Sequence, residues 1–191
     1  WVNIGGKDRF ITVPFIGSPG IYITAVALAV GHGLGLDIAE MQEGLQDEQT
    51  QVRLLLVKGP RGSQLIDDTY NASTPSVIAA LNLLKELPAK RRIAVLGEMR
   101  ELGSESENGH RIVGGRAGEM VGLLVTFGDL TDITIAAAKD SAAAMGRTLT
   151  IARFTPDQRE ELTSFLENEL GEGDMVLLKG ARGLEMETIV Q

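Results

Sequence analysis

Five short and nearly uninterrupted apolar runs punctuate most of this chain: Leu54–Val57, Ile93–Leu96, Leu123–Phe127, Leu149–Phe154 and Met175–Leu178. Runs of this kind imply strands buried on both faces, which means a parallel sheet covered by helices. Helical patterning fills the gaps between them. Ser76–Leu87 carries Val77, Leu81 and Leu84 on one side. Ser104–Val121 and Thr131–Met145 follow, and Pro156, at the favoured first position, opens a helix to about Leu170. Lys58–Gly62 reads as a hairpin turn into a strand, Leu65–Ile66, that ends at Asp67 and Asp68, and a short helix ends the chain after Lys179–Gly183. From about Thr50 onward the expected fold is α/β, a Rossmann-like doubly wound and mostly parallel sheet. With aromatic residues at only 4 %, its core must be built from Leu, Val, Ile and Ala.

The first part reads differently. Trp1–Phe15 has extended character, Ile16–Gly20 reads as a turn, and Ile21–Leu34 is apolar and Ala-rich, as a buried helix would be. Asp37 is a good N-cap for a helix over Ile38–Leu45, with Glu40 in the capping-box position. The polar run Gln46–Gln51 reads as a linker, which gives two domains, 1–47 and 48–191. The chain opens at Trp1 in what reads as mid-strand, so a piece of a longer protein is expected. Left without the rest of its domain, the apolar helix would expose surface and favour self-association.

Lys and Arg number 18 against 26 Asp and Glu, a net charge of −8. That balance argues against nucleic-acid or anionic-membrane binding, both of which need basic patches, but allows a small local anion site. Without Cys there are no disulfides and no thiolate metal sites. No apolar run reaches the roughly 18 residues that span a bilayer, and no stretch reads as a signal peptide. A cytoplasmic protein without membrane insertion is expected.

In doubly wound sheets, ligands bind beyond the carboxyl ends of strands. Three clusters fall there. Asp67-Asp68-Thr69-Tyr70-Asn71-Ala72-Ser73-Thr74-Pro75 is the densest. A helix N-cap accounts for Ser73 or Thr74, but two carboxylates and an Asn exceed what a cap requires, and Asp carboxylates here can accept hydrogen bonds from ribose hydroxyls. The second cluster runs from Gly97 to Gly103, with Glu98 and Glu101 read on the same cleft edge, or as part of a solvated charged loop. The third, Lys179-Gly180-Ala181-Arg182-Gly183, is either a surface turn or an anion-binding turn that presents backbone N–H groups. It is not a Walker A loop. His32 reads as structural. His110 has no other metal-ligand candidates near it and reads as orienting a loop.

These clusters, in this order, resemble the C-terminal domain of the Mur ligases, ATP-dependent amide ligases of peptidoglycan synthesis. The Asp67–Ser73 and Val95–Met99 segments, Glu101-Leu102-Gly103, His110 and Lys179-Gly180 with Arg182-Gly183 point to the branch that adds D-Ala-D-Ala to UDP-MurNAc-tripeptide. The resemblance covers about Thr50–Gln191, and the first 47 residues are similar to the tail of the family's central ATP-binding domain. It implies ATP and Mg²⁺ as cofactors, activation of the substrate's terminal carboxylate as an acyl phosphate, attack by the incoming amine, and a monomeric full-length protein. Carried over residue by residue, it implies ATP contacts from Arg53, Asp68 and Asn71. It implies substrate contacts from Lys179, Arg182 and Tyr70, and loop support from Gly97, Glu98, Glu101 and His110. Ala181 replaces the usual Ser of the last loop. The two Asn positions of the family's adenine-contacting turn stand here as Gly20 and Ile23, within Gly17–Ile23. The P-loop, Mg²⁺ ligands and modified Lys belong to an upstream part of the family, so no catalytic residue is assigned in these 191 residues and no ligase activity is expected of them alone. Tyr70 and Asn71 argue against the tripeptide-forming and folate-polyglutamate ligases. A non-catalytic nucleotide or dipeptide module and a degenerate paralogue are the remaining alternatives.

Overall fold

A computed structural model describes residues 1–13, 16–46 and 54–190. The chain divides into two compact units, 1–52 and 53–191.

The first unit holds an antiparallel hairpin, β1 (Val2–Ile4) and β2 (Lys7–Arg9), and two helices, α1 (Gly17–Gly33) and α2 (Ile38–Gln46). The turn expected at Ile16–Gly20 is instead the first turn of α1. A helix's first turn leaves its N–H groups unpaired in any case, so the proline in it is tolerated. Asp37 caps α2 as expected. Its Oδ1 accepts the N–H groups of Ala39 (2.8 Å) and Glu40 (2.9 Å), and the Glu40 carboxylate accepts the Asp37 N–H. The apolar helix exposes surface, as expected of it without the rest of its domain: only a narrow stripe of α1 is covered, Gly20, Thr24, Leu28 and Gly31, while Ile21 (70 % exposed), Tyr22, Val26, Val30 and Leu34 stand in solvent. His32 is exposed too. Most of the expected linker, 47–51, lies outside the described residues.

The second unit contains one six-stranded sheet in the order β3-β4-β8-β5-β6-β7. The strands are β3 (Leu55–Lys58), β4 (Gln64–Asp67), β5 (Arg91–Gly97), β6 (Leu123–Phe127), β7 (Thr150–Phe154) and β8 (Asp174–Lys179). Only β3 at the edge is antiparallel, paired to β4 across the expected hairpin. All other pairings are parallel. The chain steps from β4 past an empty slot to β5, runs outward to β7, and returns to place β8 in that slot. Helices α3 (Thr74–Glu86), α4 (Ser106–Gly118), α5 (Asp132–Ala144), α6 (Arg159–Glu169) and α7 (Glu187–Val190) connect or follow the strands. α3 begins two residues before the expected Ser76, because Pro75 occupies an early helical position where its missing N–H costs nothing. The helix expected at Ser104 begins, after a short 3₁₀ turn, at Ser106.

One face of the sheet supplies Ile93, Val95, Leu123, Val125, Phe127, Val176 and Leu178, which pack with Leu162 and Leu166 of α6 and Ile189 of α7. Strand alternation leaves Ala94, Leu96, Leu124 and Leu177 for the opposite face. There α3 packs on β5 and β8, α4 on α3, and α5 on α4.

The packing of α4 on α5 depends on glycine. A Cβ at Gly114 would overlap the Thr134 carbonyl oxygen, and one at Gly118 that of Ala138, whereas Gly115 meets nothing within 4 Å. Gly118→Ala is therefore expected to destabilise the domain by about 1–3 kcal/mol through overpacking. Gly115→Ala is expected to be neutral or to stabilise by up to about 1 kcal/mol through helix propensity. Urea denaturation of both variants checks the contrast, and equal effects would contradict it.

Candidate functional site

Placing β8 between β4 and β5 brings the three polar clusters side by side. The loops after β4, β8 and β5 leave adjacent strands at their carboxyl ends, although they are far apart in sequence. Backbone pairing continues past the strands. The Asp68 N–H donates to the Leu178 carbonyl (3.0 Å), the Ala181 N–H to the Glu98 carbonyl (3.1 Å), and the Glu98 N–H to the Phe127 carbonyl (3.0 Å). Gly97 and Gly180 permit this closeness. A Cβ at Gly97 would lie 2.9 Å from the α-carbon of Gly180 and 2.6 Å from Leu184 Cδ1.

In the loop after β4, Asp67 turns back on its own chain. Its Oδ1 accepts the Thr69 hydroxyl (2.7 Å) and the Thr69 N–H (3.1 Å). Asp68 is buried, and its Oδ2 accepts Lys179 Nζ at 2.5 Å. Lys179 is only 3 % exposed and donates a second bond to the Asn71 carbonyl (2.8 Å). Asn71 uses its side-chain oxygen to accept the Ala72 N–H (2.8 Å). Tyr70 is half-exposed, with the Arg182 guanidinium 5.1 Å from its ring centroid and Arg182 Nη1 donating to its hydroxyl at 3.2 Å. Ser73 is the N-cap of α3, its N–H held by the Ser76 hydroxyl (2.9 Å). Arg53, assigned to ATP by resemblance, lies outside the described residues.

The loop after β5 departs from its sequence reading. Glu98 and Glu101 do not share an edge. Glu101 is exposed, at φ +63°, while Glu98 is 3 % exposed and turned inward. The Glu98 carboxylate accepts Arg100 Nε (2.7 Å) on one oxygen and the N–H groups of Asp129 and Leu130 (3.0 Å each) on the other. It thereby binds the loop after β6 to the loop after β5. Gly128, at φ +132°, makes room for it, since a Cβ there would lie 2.8 Å from Glu98 Oε2. Burial pushes the Glu98 carboxyl up, but the Leu130 N–H, Arg100 and the Asp129 N–H outweigh it and hold the group below the usual carboxylate range.

His110 orients this loop, as the sequence suggests. It is buried, its Nε2 accepts the Met99 N–H (3.1 Å), and its Nδ1 lies 2.8 Å from the Ser106 carbonyl. A ring protonated on Nδ1 satisfies both contacts. Among the described residues, no group of three or more His, Cys, Asp or Glu is arranged to hold a metal ion. Nor, among them, is any helix long and apolar enough to cross a membrane.

Gly128 and Gly180 stand at strand ends, as the sequence shows, but the room each gives its neighbour is visible only in the fold. The sequence reading missed a second charged junction at the opposite end of the sheet. There Arg91 bridges Asp174 (2.6 Å) and Glu169 (2.6 Å). Burial raises the Asp174 carboxyl, but the bond from Arg91 and the Gly171 N–H hold it below its ordinary value.

With the geometry in view, comparison with known proteins defines the class. Residues 52–182 match the family described as Mur ligase, glutamate ligase domain, and the chain belongs to that family. Among its relatives is the UDP-N-acetylmuramoyl-tripeptide–D-alanyl-D-alanine ligase of Bacillus subtilis (strain 168), 28 % identical over 99 % of this chain and 41 % of the relative. Among solved structures, MurF from Acinetobacter baumannii is 25 % identical with a TM-score of 0.72, covering 95 % of this chain and 38 % of that one. MurF ligase from Thermotoga maritima in complex with ADP is also 25 % identical, with a TM-score of 0.62, covering 85 % of this chain and 34 % of that one. The chain thus spans about two-fifths of the length of the relatives it matches.

Glu98 gives a pH test. Because its folded-state carboxyl sits below the unfolded value of about 4.3, its stabilisation is complete well above that pH. It is lost as pH falls through the folded value. Glu98→Gln should therefore be less stable than wild type by about 1.5–3 kcal/mol at pH 7, the range for hydrogen bonds to a charged group. The gap should narrow toward pH 3. Urea denaturation across that range measures it, and a gap independent of pH would contradict the assignment.

Proposed function

We propose that this chain is the C-terminal part of an ATP-dependent amide ligase that adds D-Ala-D-Ala to UDP-MurNAc-tripeptide in peptidoglycan synthesis. The observation that carries this reading is the junction of the three loops. A family member places Asp67–Ser73, Gly97–Gly103 and Lys179–Gly183 at the carboxyl ends of three adjacent strands, the place where open α/β sheets bind ligands. The name of the Bacillus relative and the ADP bound to the Thermotoga structure support the substrates and the nucleotide.

In this reading Arg53, Asp68 and Asn71 face ATP, while Lys179, Arg182 and Tyr70 belong to the side of the amine substrate. A carboxylate held at a strand end, as Asp68 is by Lys179, supports the nucleotide reading, because it can accept ribose hydroxyls. When bound, ATP supplies the phosphoryl group that activates the carboxylate of the tripeptide. The chain's own task is positioning and charge neutralisation around that step. Mg²⁺ is not assigned to side chains here, because the described residues offer no cluster for it. The first unit corresponds to the tail of the central ATP-binding domain, and the same reading makes the whole protein a cytoplasmic monomer.

One observation favours a second reading, a degenerate paralogue. The family's adenine-contacting turn stands here as Gly17–Ile23, with Gly20 buried and Ile23 exposed in α1.

Phosphate release by the full-length protein, with ATP, Mg²⁺, D-Ala-D-Ala and UDP-MurNAc-tripeptide, separates the two. The ligase reading expects turnover that requires both substrates. It also expects Asp68→Ala to lower kcat/KM for ATP at least tenfold, about 1.4 kcal/mol of transition-state stabilisation. Folded wild type without turnover would favour the paralogue. Residues 1–191 alone are expected to release no phosphate, since no Walker A pattern occurs in them.

A further inference from the structure

We propose that the cavity enclosed by the β3–β4 hairpin, α6 and α7 binds a free apolar α-amino acid, with the side chain inside and the charged end at the mouth. The site is independent of the ligase reading.

The cavity measures about 220 Å³. Leu65, Val176 and Leu178 line it from the sheet, Leu166 from α6 and Ile189 from α7. All five belong to the apolar core. Well-packed cores leave few voids larger than a water molecule, so a space of this size at the margin of the core is unusual. An engineered apolar cavity of about 150 Å³ stays dry and takes up benzene. This one has room for one aliphatic or aromatic side chain. Thr163, the polar residue of the α6 wall, donates its hydroxyl to the Arg159 carbonyl (3.1 Å), which leaves the interior apolar.

The mouth is charged. Lys58 and Glu167 stand there, both exposed, and neither side chain has an ion pair or hydrogen bond among the described residues. Lys58 pairs with Gln64, the first residue of β4, so this mouth lies at the amino end of β4, away from the edge that carries Asp68 and Lys179. A lone carboxylic acid would meet Glu167, and a lone amine would meet Lys58, like charge against like. A neutral apolar guest would leave both charges without a partner. A zwitterion offers its carboxylate to Lys58 and its ammonium to Glu167. An apolar α-amino acid joins those two groups to the single side chain that the cavity holds.

The hairpin side of the cavity is strapped in place. Gly59 and Pro60 line it there, and next to them Arg61 stands at φ +49°, a strained conformation for a residue with a side chain. From that position its guanidinium donates to the carbonyls of Leu170 (2.7 Å) and Asn168 at the end of α6. The strap ties the hairpin to α6 across the cavity, so the hairpin does not sink into the space beneath it.

Calorimetric titration of the full-length protein with L-leucine tests the proposal and needs no turnover. Leucine should bind with a Kd of about 1 mM or tighter, and alanine, which lacks the apolar body, at least tenfold more weakly. 4-Methylpentanoate, which lacks the ammonium, and 3-methylbutylamine, which lacks the carboxylate, should each bind at least tenfold more weakly too. Lys58→Met should weaken leucine severalfold without weakening 3-methylbutylamine. Glu167→Gln should weaken leucine severalfold without weakening 4-methylpentanoate. Val190→Trp, which fills the cavity from α7, should abolish binding. The two charge variants change exposed side chains and keep the fold, so they decide the matter even where Val190→Trp does not fold. No saturable leucine binding in the millimolar range, or binding indifferent to both charge variants or to a folded Val190→Trp, would overturn the site. Either analogue bound as tightly as leucine would overturn the ligand class. Loss of the ligase reading would leave these outcomes unchanged.

Discussion

The sheet is completed from the inside. Its last strand, β8, enters the slot between β4 and β5, and everything of functional interest depends on that insertion. β8 is the neighbour that the loops after β4 and β5 share: Leu178 receives the Asp68 N–H, Glu98 receives the Ala181 N–H, and Gly97 meets Gly180 nearly backbone to backbone. A central strand must be apolar on both faces, and Met175, Val176, Leu177 and Leu178 are all at most 2 % exposed.

Buried charge then locks the ends of this strand. At its carboxyl end Lys179 holds Asp68, and at its amino end Asp174 is held by Arg91. Both pairs tie β8 to what lies beside it, yet they serve different purposes. The Arg91 junction gathers the end of α6 and the start of β8. The Lys179 junction stands on the edge where strand ends meet solvent, with Tyr70 and Arg182 beside it. Glu98 performs the same task one strand further along, drawing the loop after β6 against the loop after β5. The edge is therefore a rigid floor made by buried carboxylates, carrying a few exposed groups. That division suits the proposed task of holding a nucleotide and an amine substrate in fixed relation.

Much of this was legible in the sequence, and the gaps have physical causes. Strands could be read because four or five apolar residues in a row have few other uses, and the polar clusters because each begins where such a run stops. Leu123–Phe127 was placed to the residue. Strand order was not legible, since no residue of β8 records which slot it fills. Glu98 and Glu101 look alike in sequence. Only the fold shows that Gly128 and two N–H groups wait for the first and nothing for the second. Lys179 and Arg182 likewise look alike in sequence, yet the first is buried and the second exposed. The composition of α1 shows that the helix prefers cover, but which narrow stripe of it is covered is set by the fold.

The central claim is that one edge of the sheet, at the carboxyl ends of β4, β8 and β5, is the nucleotide-facing edge. Amide chemical-shift mapping of ¹⁵N-labelled residues 1–191 during titration with millimolar ADP tests it most directly. The account predicts that the largest shifts fall in Asp68–Ser73, with smaller ones in the adjoining Gly97–Gly103 and Lys179–Gly183. Shifts centred instead on the opposite end of the sheet, around Pro88–Lys90 and Gly173–Met175, would contradict it.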